Sequence, residues 1–407
     1  MKKVFVLLAA FLHLGALSLN AFDFGLVFNQ NADLNAPTSD FEKAGFKISG
    51  VLLPRFSELF GENGDLYISA AINYQAVFGS GARPFAIIPE LTRTDFAFNL
   101  GHADIRIGRM FYSDPLGLVA NNLFDGARAS FITRNGNFHA GAWYTGLLYR
   151  ERAAIAMTPD ELKSSGAEVD YSDFGNTYFA PSRILAALEY DHPSLAGFIS
   201  LKTSIMAQFD AGDDKLNSQY LTAALSFPVK SFIFDLGGCF ELIQYNDETK
   251  PAFAADIGLT FILPTKLEKH ITLSWRYSSG VSEDNTIGAF LPITTVKQGE
   301  ILEAKLSALS LLSLGFTGRL AQSLSANFAF TYFIRNDLGT YTAYPVVGVN
   351  SEGFFLGTEI FGRFIWNITT GTRLNFGTGL FIPELGDAAP DAGMMWRTNV
   401  NLIISIF

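Results

Sequence analysis

The sequence predicts an all-β fold, a single closed transmembrane antiparallel β-barrel of about 18 strands, and three observations predict it. Short stretches alternate apolar and polar residues with a period of two. The connections between them are long and then short in turn. After the N-terminus no uninterrupted apolar run approaches the ~20 residues that a spanning helix needs. The longest candidate, Leu306 to Phe316, follows Glu303 and Lys305 and falls well short. A strand wall with one greasy and one wet face, closed on itself, accommodates 49% hydrophobic and 14% aromatic residues in a chain only 17% charged.

Residues 1–21 read as an export signal: Lys2 and Lys3, an apolar core from Val4 to Leu17, and Ser18-Leu19-Asn20-Ala21 as the cleavage region. The barrel domain is then 22–407. Its first strand, 22–30, sets Phe22, Phe24, Leu26 and Phe28 on one face and Asp23, Gly25 and Asn29 on the other. Strands follow at 44–56, 65–78, 85–98, 102–111, 126–134 and 138–149. The next six fall at 180–191, 197–209, 218–227, 231–245, 252–263 and 270–280, and the last five at 299–317, 323–335, 353–367, 372–382 and 395–407. The alternation is cleanest where Leu324, Ala326, Phe328, Phe330, Tyr332 and Ile334 oppose Ser325, Asn327, Thr331 and Arg335. About ten residues at ~3.3 Å rise, tilted by ~40°, cover the roughly 25 Å of an outer-membrane apolar band.

Short turns such as Asn135-Gly136-Asn137, Pro228-Val229-Lys230 and Thr369-Thr370-Gly371 carry turn-forming residues. They interleave with long loops near 31–43, 112–125, 150–179, 281–298, 336–352 and 383–394, the link at 79–84 being the exception. Eighteen strands put both termini on the short-turn, periplasmic side and the long loops outside the cell; 16 strands also fit. The register of 299–317 stays open, because Leu309, Leu311, Leu312 and Leu314 occupy both parities.

Removing Lys2 and Lys3 with the signal leaves 27 basic against 39 acidic residues, an acidity that argues against nucleic acid as a partner. A single cysteine, Cys239, forbids an intramolecular disulfide. A soluble β-sandwich also alternates, yet at this size it would break into domains, and no linker or internal repeat interrupts the chain.

Phe407, ending an amphipathic strand, resembles the terminal aromatic residue of bacterial outer-membrane barrels, although its parity is opposite to that of Trp396, Val400, Leu402, Ile404 and Ile406. The stretch Asp104 to Phe131 resembles the place in bacterial porins where the loop between the fifth and sixth strands folds inward to constrict the pore. The resemblance implies that Asp114 and Asp125 set the field in the constriction, with Arg106 and Arg128 on the nearby wall. The alternative is an ordinary extracellular loop in which Asp114-Pro115 and Asp125-Gly126 only make turns. The inferred inner face also holds Lys202, Glu241, Asp256, Arg276, Glu359 and Arg363 as pore-lining charges. Basic and acidic groups there are too nearly equal in number to set ion selectivity.

Catalytic signals are thin. His102, His139, His192 and His270 lack metal-ligand spacing, and the pair His139 and Ser130 on adjacent strands is the one Ser/His arrangement a barrel hydrolase could use. The expectation is therefore no enzyme, no cofactor and no metal. The sequence reads as a channel for passive diffusion of small hydrophilic solutes, in contact with outer-membrane lipid; the porin resemblance implies a homo-trimer. The alternatives are a transporter of hydrophobic ligands similar to fatty-acid channels, which have a break in the wall, and a structural or adhesive surface protein.

Overall fold

The computed structural model describes residues 22–37, 44–78, 85–158, 161, 169–212, 215–245, 247–281, 288–338, 353–389 and 393–406. The export signal read at 1–21 and the terminal Phe407 lie outside them. The strands are β1 (Phe22–Pro37), β2 (Gly45–Phe60), β3 (Gly64–Phe78), β4 (Ala86–Asn99), β5 (Ala103–Ser113) and β6 (Asn121–Thr133). Next come β7 (Gly136–Tyr144), β8 (Arg183–Leu195), β9 (Ile199–Asp210), β10 (Asn217–Val229), β11 (Phe232–Tyr245) and β12 (Glu248–Ile262). The last are β13 (Lys269–Ser278), β14 (Leu309–Arg319), β15 (Leu324–Arg335), β16 (Phe355–Asn367), β17 (Thr372–Ile382) and β18 (Met395–Ile406). Each pairs antiparallel with its sequence neighbours, and β1 pairs with β18, so the 18-stranded sheet closes on itself.

The two faces of this wall are inverted relative to a soluble protein. On β9, Ser204 is 2% exposed and hydrogen-bonds Thr222 of β10 at 2.6 Å, whereas the next residue, Ile205, is 62% exposed beside an equally outward Leu221. The same contrast recurs around the barrel at Leu188, Leu273, Leu314, Phe330 and Ile360. A continuous apolar belt of this extent is the signature of a surface in contact with hydrocarbon, which rejects the soluble sandwich.

Several boundaries differ from the sequence expectation. β1 runs on to Pro37 and shortens the first loop, and only residues 246 and 247 separate β11 from β12 on the long-loop side. β7 ends at Tyr144. The largest difference is at 299–308, read as the start of the fourteenth strand but folded inside the barrel: Leu302, Ala304, Leu306 and Ala308 are all fully buried. Its apolar residues fall two apart, as they do in a strand, so the period of two does not separate this inward segment from one in the wall. It also resolves the leucine register, since Leu309 and Leu311 pack on this inner layer while Leu312 and Leu314 face outward.

Candidate functional site: a lumen narrowed by three inward segments

The β5–β6 hairpin leaves the wall. Pairing of β4 with β5 stops at Thr94 and Arg109, and pairing of β6 with β7 stops at Asp125 and Tyr144, so Met110 to Phe124 has no strand neighbour outside its own hairpin. Gly108 and Gly126 face each other at the point of departure. Gly108 has φ +124°, and a Cβ on Gly126 would lie 2.1 Å from the Ala142 carbonyl oxygen, so both positions need glycine. The adjacent Arg109 binds Asp125 through two bonds of 2.8 and 2.7 Å and also donates to the carbonyls of Leu91 and Leu147.

That departure exposes the upper edge of β4, where the carbonyls of Ile87, Pro89 and Leu91 lose their β5 partners. Side chains replace them: Tyr171 donates to Ile87, Tyr178 to Pro89 at 2.9 Å, and Arg109 to Leu91. Pro89 has no N–H and is tolerated in a strand because its edge is open. Burial, aided by the Glu90 charge, pushes the Tyr178 phenol up to about 12, which keeps it a donor. Tyr178 and Tyr149 stack at 5.0 Å, closing the seam from the loop between β7 and β8.

Inside, parts of 114–120, 147–158 and 289–308 pack into one apolar cluster that includes Leu118, Val119, Ile155, Met157, Phe290 and Leu306, while Ile301, Leu302 and Ala304 join a second cluster with Leu309, Phe333 and Phe381. Ile293 N–H donates to Val119 at 2.8 Å and Thr295 N–H to Ala154 at 2.7 Å, so the segments share backbone bonds. Asp114 stands at the head of its loop, buried, and accepts N–H bonds from Leu116, Val119 and Ala120 at 3.0, 2.8 and 2.9 Å. Burial holds its carboxyl above the usual range even so. Lys305 donates to the Ala156 carbonyl, and burial lowers its ammonium to about 8.

The wall charges read from the sequence mostly anchor these segments. Glu359 is buried and accepts the N–H groups of Glu300, Ile301 and Leu302 at 2.7 to 3.1 Å; Glu241, fully buried, accepts that of Leu291 at 2.8 Å. Arg276 pairs with Asp256 at 2.6 Å and reaches Gln298, and Arg363 pairs with Glu300 at 2.9 Å. Arg106 pairs with Asp95 at 3.0 Å and Arg128 with Glu189 at 2.6 Å, both beside a cavity of about 470 Å³ toward the short-turn side. Lys202 lines a smaller cavity of about 270 Å³ with Asp235 and Asp256. Asp125 lies on β6 rather than in the loop, on the parity of Leu123 and Ala127, and Asp114 has turned its oxygens to its own backbone.

A further cavity of about 470 Å³ lies against β1, β2 and β3, lined by Asn29, Asn31, Ser49, Asn73, Gln75 and Arg152 among others. Sequence reasoning weighed charges and passed over these carboxamides. Their inward parity was readable from Asn29 on the first strand, opposite Phe28. It passed over the seam too, which Pro89 inside an otherwise alternating strand marks.

No protein-family model matches the chain, and no curated protein matches it in sequence. Among solved structures it is similar to OpdQ of Pseudomonas aeruginosa, with a TM-score of 0.63 at 10% identity over 95% of this chain and 99% of that one. OccAB2 of Acinetobacter baumannii gives 0.60 at 9% identity over 95% and 98%. The outer membrane protein OpdK of P. aeruginosa gives 0.60 at 10% identity, also over 95% and 98%. The chain has the fold of a porin-like outer-membrane β-barrel.

Proposed function

We propose that the protein is an outer-membrane channel through which small hydrophilic solutes diffuse passively. The observation that carries this reading is the inverted wall: apolar side chains face out, while polar side chains line cavities that the three inward segments narrow without filling. The outward belt takes lipid as its partner. The homo-trimer implied by the porin resemblance belongs to the same proposal, and the mass of the detergent-solubilised particle reads it out. Catalysis has little support. His139 Nδ1 lies 2.8 Å from Ser130 Oγ, but among the described residues no carboxylate hydrogen-bonds the imidazole to orient it, and Glu189, directly across, is engaged by Tyr112 and Arg128.

Proteoliposome swelling tests the proposal. Vesicles containing the purified chain should swell in small neutral solutes at rates that fall with solute size; swelling no faster than in protein-free vesicles contradicts it. The interrupted β4–β5 pairing favours a second reading, a lateral route for hydrophobic ligands. Against it stand the donors that close the seam and the carboxamides that share the cavity behind it with Val51 and Ile88. Retention of a labelled fatty acid by the purified protein, without solute flux, would select that reading.

A further inference from the structure

Register aligns Asn375 of β17, Asn401 of β18, Asn31 of β1, Ser49 of β2 and Gln75 of β3 directly opposite one another. All share the inward parity. With strands about 4.8 Å apart, this uncharged row spans about 19 Å of the wall. Asn375 donates to Asn401 at 3.2 Å and Asn401 donates to Asn29 on the same face. The chain leaves much of the row's capacity unused. Among the described residues, the side chains of Asn31, Ser49 and Gln75 make no hydrogen bond within the protein, and Asn375 Oδ1 is buried without a partner.

The charges around this row are balanced and largely spent. Arg152 pairs with Glu90 at 2.8 Å and Arg397 is held by Asp33 and Glu303, while Glu151, which accepts from the neutral Tyr149 phenol at 2.7 Å, keeps its charge and offsets that of Lys47 across the same cavity. Lys47 is the lining cation without an acidic partner among the described residues. A carboxamide presents a donor and an acceptor side by side, which complements adjacent hydroxyls of a polyol. A wall with unsatisfied groups of this kind discriminates against solutes that cannot fill them.

We propose that the cavity behind this row recognises neutral polyhydroxylated solutes, short sugars being the fitting class. The inference rests on the channel reading and names the solute class for it. The test is ion current through the full chain in planar bilayers in potassium chloride, with maltose or benzoate added. Maltose should reduce the current saturably and benzoate should not. Exchanging Asn31, Gln75 and Asn401 together for leucine should raise the maltose half-saturation about fivefold or more, the loss of about one net hydrogen bond, while the open current stays within a factor of about two. The single substitution Gln75→Leu should act in the same direction, which guards against a triple variant that fails to fold. Saturable block by benzoate that Lys47→Gln abolishes, with no effect of maltose, would overturn the inference and leave the channel reading standing. Absence of any current would overturn both.

Discussion

At the end of the β4–β5 ladder Arg109 ties three pieces of chain through its side chain: the departing hairpin through Asp125, the open β4 edge through Leu91, and the covering loop through Leu147. Removing one partner of a buried, multiply bonded pair costs about 3 kcal/mol. Arg109→Ala should therefore lower the urea midpoint of the detergent-solubilised protein, and an unchanged midpoint would remove the seam from the account. Lys305 supplies a pH dependence. Burial lowers its ammonium to about 8, so the folded protein sheds this proton before the unfolded chain, whose lysines titrate near ~10.4. Stability should rise with pH across that interval, because the unfolded state holds more protons there. Lys305→Met should abolish the part of the rise that this residue carries, measured by unfolding at pH 7, 8.5 and 10. Inward parity was readable for Glu241 and Glu359 from the period of two, but their use was not. Whether a lumenal carboxylate faces water or holds the N–H of Leu291 or Ile301 depends on loops that have no period.

The strands were legible because hydrocarbon outside and polar groups inside impose opposite demands on successive residues, a pattern local enough to read from β9 or β15 alone. The inward segments were not, because Leu302, Ala304, Leu306 and Ala308 are buried on all sides and mimic the start of a strand. The position of the fifth-to-sixth-strand loop was legible from strand order. Its mechanism, a Gly108–Gly126 hinge that releases a hairpin from both neighbours, rests on long-range pairing. Replacing Leu116 to Val119 with a short Gly-Ser link removes most of the apolar docking of that loop. Single-channel conductance should then increase by a factor of about two or more, since pore width at the constriction limits flow. Unchanged conductance would show that the loop does not narrow the path.

Across the whole molecule, pairing of β1 with β18 leaves no edge strand in the wall, and tyrosines and Arg109 cover the stretch of β4 that loses β5. The lumenal charges described above are mostly paired: Arg276 with Asp256, Arg363 with Glu300, Arg397 with Asp33. Their fields largely cancel, and the bore should discriminate weakly between cations and anions. Planar-bilayer recording tests the central claim, a greasy cylinder with a wet passage, most directly. The purified protein should insert from detergent and give stable ohmic steps, with a reversal potential close to zero in a potassium chloride gradient. A protein that inserts and yields no steps would contradict the account.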